Sequence, residues 1–214
     1  MNMKKTHRAA RRGMTLIETV LAISITAMVG GAITTMMAAV TDEVTANQET
    51  RTNLIRSGLA QSRFSSYIAR AHCVLDMTDT SMTLWLEDSR EGGTVHASEI
   101  RWIRFDPRTG TVESSFVCFP ETWSEATRLM ADTEFLDVDH VDWPSVLASF
   151  ETRGLICMLP MVEGVSNLNI TGNATEPQDI TLIETSMDLS LFNDYEQSCT
   201  AESIRVHRRP GEEG

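Results

Sequence analysis

Lysine is absent after Lys5, and the arginines that follow are spread through a chain of 214 residues with a formal charge of −12. A phosphate backbone needs clustered Lys and Arg, so this composition argues against nucleic acid as a partner. Catalytic signatures are missing too. No Gly-x-Ser-x-Gly, His-Glu-x-x-His or phosphate-cradling glycine loop occurs, and His7, His72, His96, His140 and His207 are scattered. No enzyme and no cofactor is expected, apart from an active site assembled from distant residues. His140, near Asp139 and Asp142, is the only local acid–base grouping. Proline is also missing from residues 14–71. Nothing there breaks a helix, and the stretch is expected to form one long one, about 85 Å at ~1.5 Å per residue.

The front of that helix is apolar. Residues 20–40 are 21 uncharged positions, spanning about 30 Å as a helix, the thickness of a bilayer core. Two features set the segment apart from an ordinary anchor. A glycine flanked by arginines, Arg11-Arg12-Gly13, precedes it, whereas a secretory signal places its cleavage site after the apolar run. A single carboxylate, Glu18, lies inside the apolar region. An ionisable side chain at that depth costs about 3 kcal/mol or more unless a partner neutralises it, so a functional partner is the default expectation. Cleavage between Gly13 and Met14 would create an α-amine at Met14. Glu18 stands at i+4 from it, on the same helix face, able to pair with its own amine or a neighbour's.

The run Gly13-Met14-Thr15-Leu16-Ile17-Glu18 resembles the type III signal of type IV pilins and type II secretion pseudopilins, usually Gly-Phe-Thr-Leu-Ile-Glu. Met14 is the one departure. The resemblance covers roughly residues 4–40. It implies that a prepilin peptidase cuts after Gly13 and methylates Met14, and that Glu18 guides assembly with other pilins or pseudopilins at an inner-membrane platform. It also implies an α+β, pilin-like fold: a long N-terminal helix, membrane-spanning in its first half, packed on an antiparallel β-sheet head. The expected divisions are a cleaved leader at 1–13, a transmembrane and assembly helix at 14–40, its amphipathic continuation at 41–72, and a periplasmic head at 73–214. In the back half, the strand at 100–106 and the segment 159–165 leading into Leu168-Asn169-Ile170 are similar to J-type minor pseudopilins, and W-type minor pilins share much of that layout. K-type members commonly lack the glutamate.

Charge fits this orientation. Lys4, Lys5, Arg8, Arg11 and Arg12 all precede Gly13, so removing the leader takes the formal charge from −12 to −17. The basic flank belongs on the cytoplasmic side of an inner membrane and the acidic remainder in the periplasm.

Behind the span, Leu54, Ile55 and Leu59 open an apolar stripe that Ala60, Phe64, Tyr67, Ile68 and Ala71 continue. Short alternating runs follow. Strands are expected at 81–86, 100–106 and 111–119, the last two joined by a Pro107-Arg108-Thr109-Gly110 turn. Residues 120–150 read as an insertion with a short helix capped by Ser124 and another starting at Trp143-Pro144. Then come apolar runs at 154–172 broken by Pro160, a strand at 181–192, Cys199 in a polar link, and a last short strand at 203–206. Asp137, Asp139 and Asp142 form an acidic cluster with enough carboxylates for Ca²⁺, but it lacks the glycine and terminal glutamate of an EF-hand, so a solvated loop is preferred and no metal is expected.

Cys73, Cys118, Cys157 and Cys199 are an even number on the outer side of a membrane. Two disulfides are expected against the alternative of buried thiols, with all three connectivities open. The reading as a whole is a minor pseudopilin of a type II secretion filament. A minor pilin of a type IV pilus is the alternative, and a single-pass membrane-anchored enzyme or binding protein is the reading from another class.

Overall fold

The computed structural model describes residues 15–86, 90, 93–191 and 194–211. The chain divides into two units between Glu49 and Thr50. A single helix, α1 (Leu16–Ile68, 53 residues), supplies the whole described part of the first unit and the first element of the second. Its front section, Leu16–Glu43, is long and apolar enough to cross a membrane. The hydroxyls in that section donate back to their own helix: Ser24 to the Val20 carbonyl at 2.9 Å, Thr26 to Ala22 at 2.8 Å and Thr34 to Gly30 at 2.8 Å. Satisfied in this way, they need no water and are compatible with an apolar surround. The division at 49/50 places the rear of the helix in the second unit.

The second unit adds ten strands and two helices: β1 (Cys73–Thr78), β2 (Ser81–Trp85), β3 (Val95–His96), β4 (Ile100–Asp106), β5 (Thr111–Val117), α2 (Glu125–Ala131), β6 (Glu134–Phe135), α3 (Trp143–Thr152), β7 (Ile156–Glu163), β8 (Val165–Gly172), β9 (Leu182–Leu191) and β10 (Asp194–Ser203). All described pairings are antiparallel. They form a five-stranded sheet in the order β1-β2-β4-β5-β7, a three-stranded sheet β10-β9-β8 and a small β3-β6 pair. The class is therefore α+β, with a long apolar N-terminal helix and antiparallel sheets.

The five-stranded sheet is buried on both faces. On one face, Ala60, Phe64 and Ile68 of α1 join Met82, Leu84, Ile103 and the inner residues of β8 and β9, among them Leu168 and Met187. On the other, Trp85, Ile100 and Trp102 pack against Trp143, Leu147 and Phe150 of α3. Residues 119–155 therefore roof the second face, which explains why both sides of β2 are apolar. α2 begins as expected, with Ser124 accepting from the Thr127 N–H, and Asp142 does the same for α3 from Ser145. The 106–110 turn closes the β4-β5 hairpin, with Gly110 at φ +64° and a backbone bond from its N–H to the Asp106 carbonyl at 2.9 Å. A side chain there would also strike the Val165 carbonyl at 3.0 Å.

Four expectations need correction. Leu54, Ile55 and Leu59 do not start the buried stripe: they are 59%, 60% and 48% exposed. Ile55 lies nine residues before Phe64, about half a turn out of phase, so the two point in opposite directions. Pro160 does not break its run, because β7 continues through it as an edge strand that does not need the missing N–H, with a register shift opposite Val112 and Glu113. Cys199 sits in a strand and not in a link. β10 pairs with β9 along its whole length, and residues 204–211 form an irregular strap instead of a last strand. Few apolar residues mark β10 because it too is an edge.

Candidate functional site

The head of α1 is built from Thr15 and Glu18. The Glu18 Oε2 accepts from both the Thr15 backbone N–H and the Thr15 hydroxyl, each at 3.0 Å, and the Glu18 N–H reaches back to the Thr15 Oγ1 at 3.4 Å. This is a reciprocal capping box. Two of the helix's orphan N–H groups are satisfied, and a negative charge lies where the helix dipole favours it. The signal, Thr-x-x-Glu ahead of an apolar run, is in the sequence, but the membrane reading of Glu18 masked it.

The box has a chemical consequence. It turns the carboxylate towards the amino end of the helix and holds it against the N–H of Thr15, the residue that follows Met14. A cation presented there meets an acceptor already oriented. Hydrogen bonding from Thr15 does not cancel the negative charge, so the site still favours a positive partner. Gly13 and Met14, the expected cleavage and methylation positions, lie outside the described residues, as does the leader at 1–13. Gly30 and Gly31 stand open, with no other atom within 4 Å of where a side chain would begin.

The remaining candidates take ordinary structural roles. Cys118 and Cys157 form a disulfide with a Cα–Cα distance of 5.7 Å. Cys73 is a buried thiol in β1, and Cys199 is an exposed thiol in β10 that approaches the Ser186 hydroxyl at 3.6 Å. The expectation of two bridges is therefore corrected to one among the described residues: Cys73 belongs to the five-stranded sheet and Cys199 to the three-stranded one. The pairing was hidden in sequence because Cys118 and Cys157, 39 residues apart, meet only when the inserted segment folds back.

Asp137, Asp139 and Asp142 do not converge. Asp137 accepts from the Asp139 N–H at 3.2 Å and contacts the His140 Nδ1 at 3.0 Å, Asp139 accepts from Gln178, and Asp142 caps α3. Among the described residues no three metal-ligating side chains gather into a site. His140 and Asp139 do line a polar cleft of about 560 Å³ with Asp76, Glu176, Asp179 and Arg209. Among the described residues, no serine, cysteine, threonine or lysine lines it. Asp179 pairs with Arg209, and the His207 Nε2 donates to the Gln178 carbonyl at 2.8 Å, so the basic residues of the strap hold the chain's own loops. The Asn173 Oδ1 accepts from the Thr181 and Leu182 N–H groups at the start of the neighbouring strand.

Comparison with known proteins adds no relative: no protein-family model matches the chain, and no curated protein matches it significantly.

Proposed function

We propose that this chain is a pilin-like subunit, a minor pseudopilin of a type II secretion filament, cut after Gly13 by a prepilin peptidase, methylated at Met14, and assembled through α1. The observation that carries the reading is the position of Glu18. It is the single carboxylate in the apolar run of residues 14–40, five residues past a glycine flanked by arginines, and its oxygen is held towards the amino end of the helix, the side on which cleavage would free an amine. Stored in the inner membrane, such a subunit carries an uncompensated charge. Moving the helix from lipid into a bundle of like helices changes little hydrophobic energy, so neutralising Glu18 with a neighbour's amine gives assembly its direction. The head, periplasmic in this reading, caps or initiates the filament and performs no catalysis.

The test is intact mass and N-terminal sequencing of the membrane form. A chain beginning at Met14, one methyl heavier, is expected; a chain still beginning at Met1 sinks the reading. Glu18→Ala should leave cleavage unchanged and abolish incorporation into filaments, whereas a plain anchor would tolerate it. A type IV pilus is the second assignment. Loss of secretion as against loss of twitching in a deletion strain decides between the two machines.

A further inference from the structure

Between β5 and α2 the chain turns at Pro120–Trp123, and a cleft of about 580 Å³ opens beside that turn. Among the described residues it is lined by Arg90, Ser98, Phe119, Trp123, Glu125 and Arg128. Its volume lies within the range of small-molecule sites, roughly 300–1,000 Å³. Part of the lining is aromatic. Phe119 and Trp123 stack with ring centroids 6.0 Å apart and planes inclined by 22°, and both are half-buried against the second core. The Trp123 indole N–H has no partner among the described residues and, unlike those of Trp102 and Trp143, is not enclosed. Trp123 therefore offers a ligand both an apolar ring and a donor.

The rest of the lining is charged but nearly balanced. Arg128 is held through its Nη2, which donates to the Pro120 and Glu121 carbonyls at 3.2 and 3.1 Å. The Pro120 carbonyl also accepts from the Trp123 backbone N–H at 3.1 Å, so the guanidinium and the indole residue are tied to one point. The Arg128 Nε is enclosed without a partner, and among the described residues no carboxylate lies within ion-pair distance of this side chain. Glu125 stands three residues earlier on the same face of α2 and lines the cleft without an ion pair among the described residues. Arg90, by contrast, is neutralised by the buried Asp132 at 3.2 Å, which also accepts from the Ser98 hydroxyl at 2.7 Å. A group that can only donate thus stands beside one that can only accept, both next to an aromatic pair.

These groups select the chemistry of an occupant. An anion gains little, because Glu125 offsets Arg128 and Asp132 offsets Arg90. A peptide backbone finds no sheet edge, since none of the six lining residues lies in a strand. A polyol ring suits all the features at once. Its C–H face packs against an aromatic ring, and each hydroxyl both donates and accepts, so neighbouring hydroxyls satisfy a guanidinium and a carboxylate together. We propose that this cleft binds a neutral saccharide, with a pyranose ring against Trp123 and its hydroxyls shared between Arg128 and Glu125. Tying Trp123 and Arg128 to the Pro120 carbonyl before a ligand arrives lowers the ordering cost of binding. The site uses neither Glu18 nor α1, so it stands apart from the filament reading.

The experiment uses the full chain in phosphatidylcholine nanodiscs, which carry no sugar. These are applied to an array of neutral mono- and oligosaccharides, with uronates and simple carboxylates alongside, and the strongest neutral probe is then titrated by calorimetry. Capture by at least one neutral saccharide is expected. Trp123→Ala and Arg128→Ala should each weaken it about tenfold or more. Trp123→Phe, which keeps an aromatic ring, should lose less. Glu125→Ala changes an exposed side chain that makes no ion pair among the described residues, so it guards against misfolding in the other variants, and it should also weaken binding about tenfold. Silence across the neutral probes would overturn the proposal. So would capture by carboxylate probes alone, the mark of a plain anion site, or binding that the Trp123, Glu125 and Arg128 variants all retain in full.

Discussion

Asp106 shows how a single carboxylate shapes the head. The Arg108 N–H donates to its Oδ1 at 2.9 Å, which with the Thr109 hydroxyl at 3.2 Å holds the carboxyl below the usual aspartate range. A group with a depressed folded pKa stabilises the fold above its unfolded value, about 3.9 for aspartate, and that stability is lost as pH falls through the folded value. Asp106→Asn should therefore unfold at lower denaturant than the parent at pH 6, and the gap should narrow below about pH 4. A gap that stays constant across denaturant titrations from pH 6 to pH 3 would refute this role. Glu99, 3% exposed, organises its neighbourhood in a similar way, accepting from the Trp85 indole and the N–H groups of Arg90 and His96.

At the scale of elements, α1 joins two kinds of surface in one helix. Its front is apolar all round and suits lipid or a bundle of like helices. Its rear buries one face, with Phe64 and Ile68 wholly inside and Ile55 and Leu59 outside. The two faces should respond differently to truncation. Phe64→Ala should cost about 3–5 kcal/mol of head stability through lost burial and the cavity it leaves. Ile55→Ala should change stability by less than about 0.5 kcal/mol. Chemical denaturation of the two variants measures the difference; equal costs would show that the buried face has been misassigned.

In the molecule as a whole, the insertion gives the head its second core, and the Cys118–Cys157 bridge ties the two ends of that insertion together next to the β5-β7 ladder. Closing a loop of about 40 residues removes unfolded-state entropy worth roughly 4 kcal/mol. Replacing Cys118 with serine should lower head stability by about 2–4 kcal/mol, read as a reduced midpoint of urea unfolding, and reductant should do the same to the parent. Cys199→Ser, at an exposed position, should stay within about 0.5 kcal/mol. Equal losses from the two substitutions would mean that the bridge does not hold the insertion.

What the sequence determined by itself lies in local, periodic signals. The uninterrupted helix, the capped starts of α2 and α3, the Asp106–Gly110 turn and the alternation of β4 all depend on neighbours a few residues apart, where side-chain chemistry acts directly on the backbone. The Thr15–Glu18 box was equally local, although it was read as a membrane charge and not as a cap. Only the tertiary structure decided which side of the rear helix is buried, since Leu54, Ile55 and Leu59 look as apolar as Phe64 until a sheet selects one face. It also decided the pairing of Cys118 with Cys157, the edge positions of β7 and β10, and the dispersal of Asp137, Asp139 and Asp142 to separate partners. Each of these depends on contacts between residues far apart in the chain, and periodicity carries no record of them.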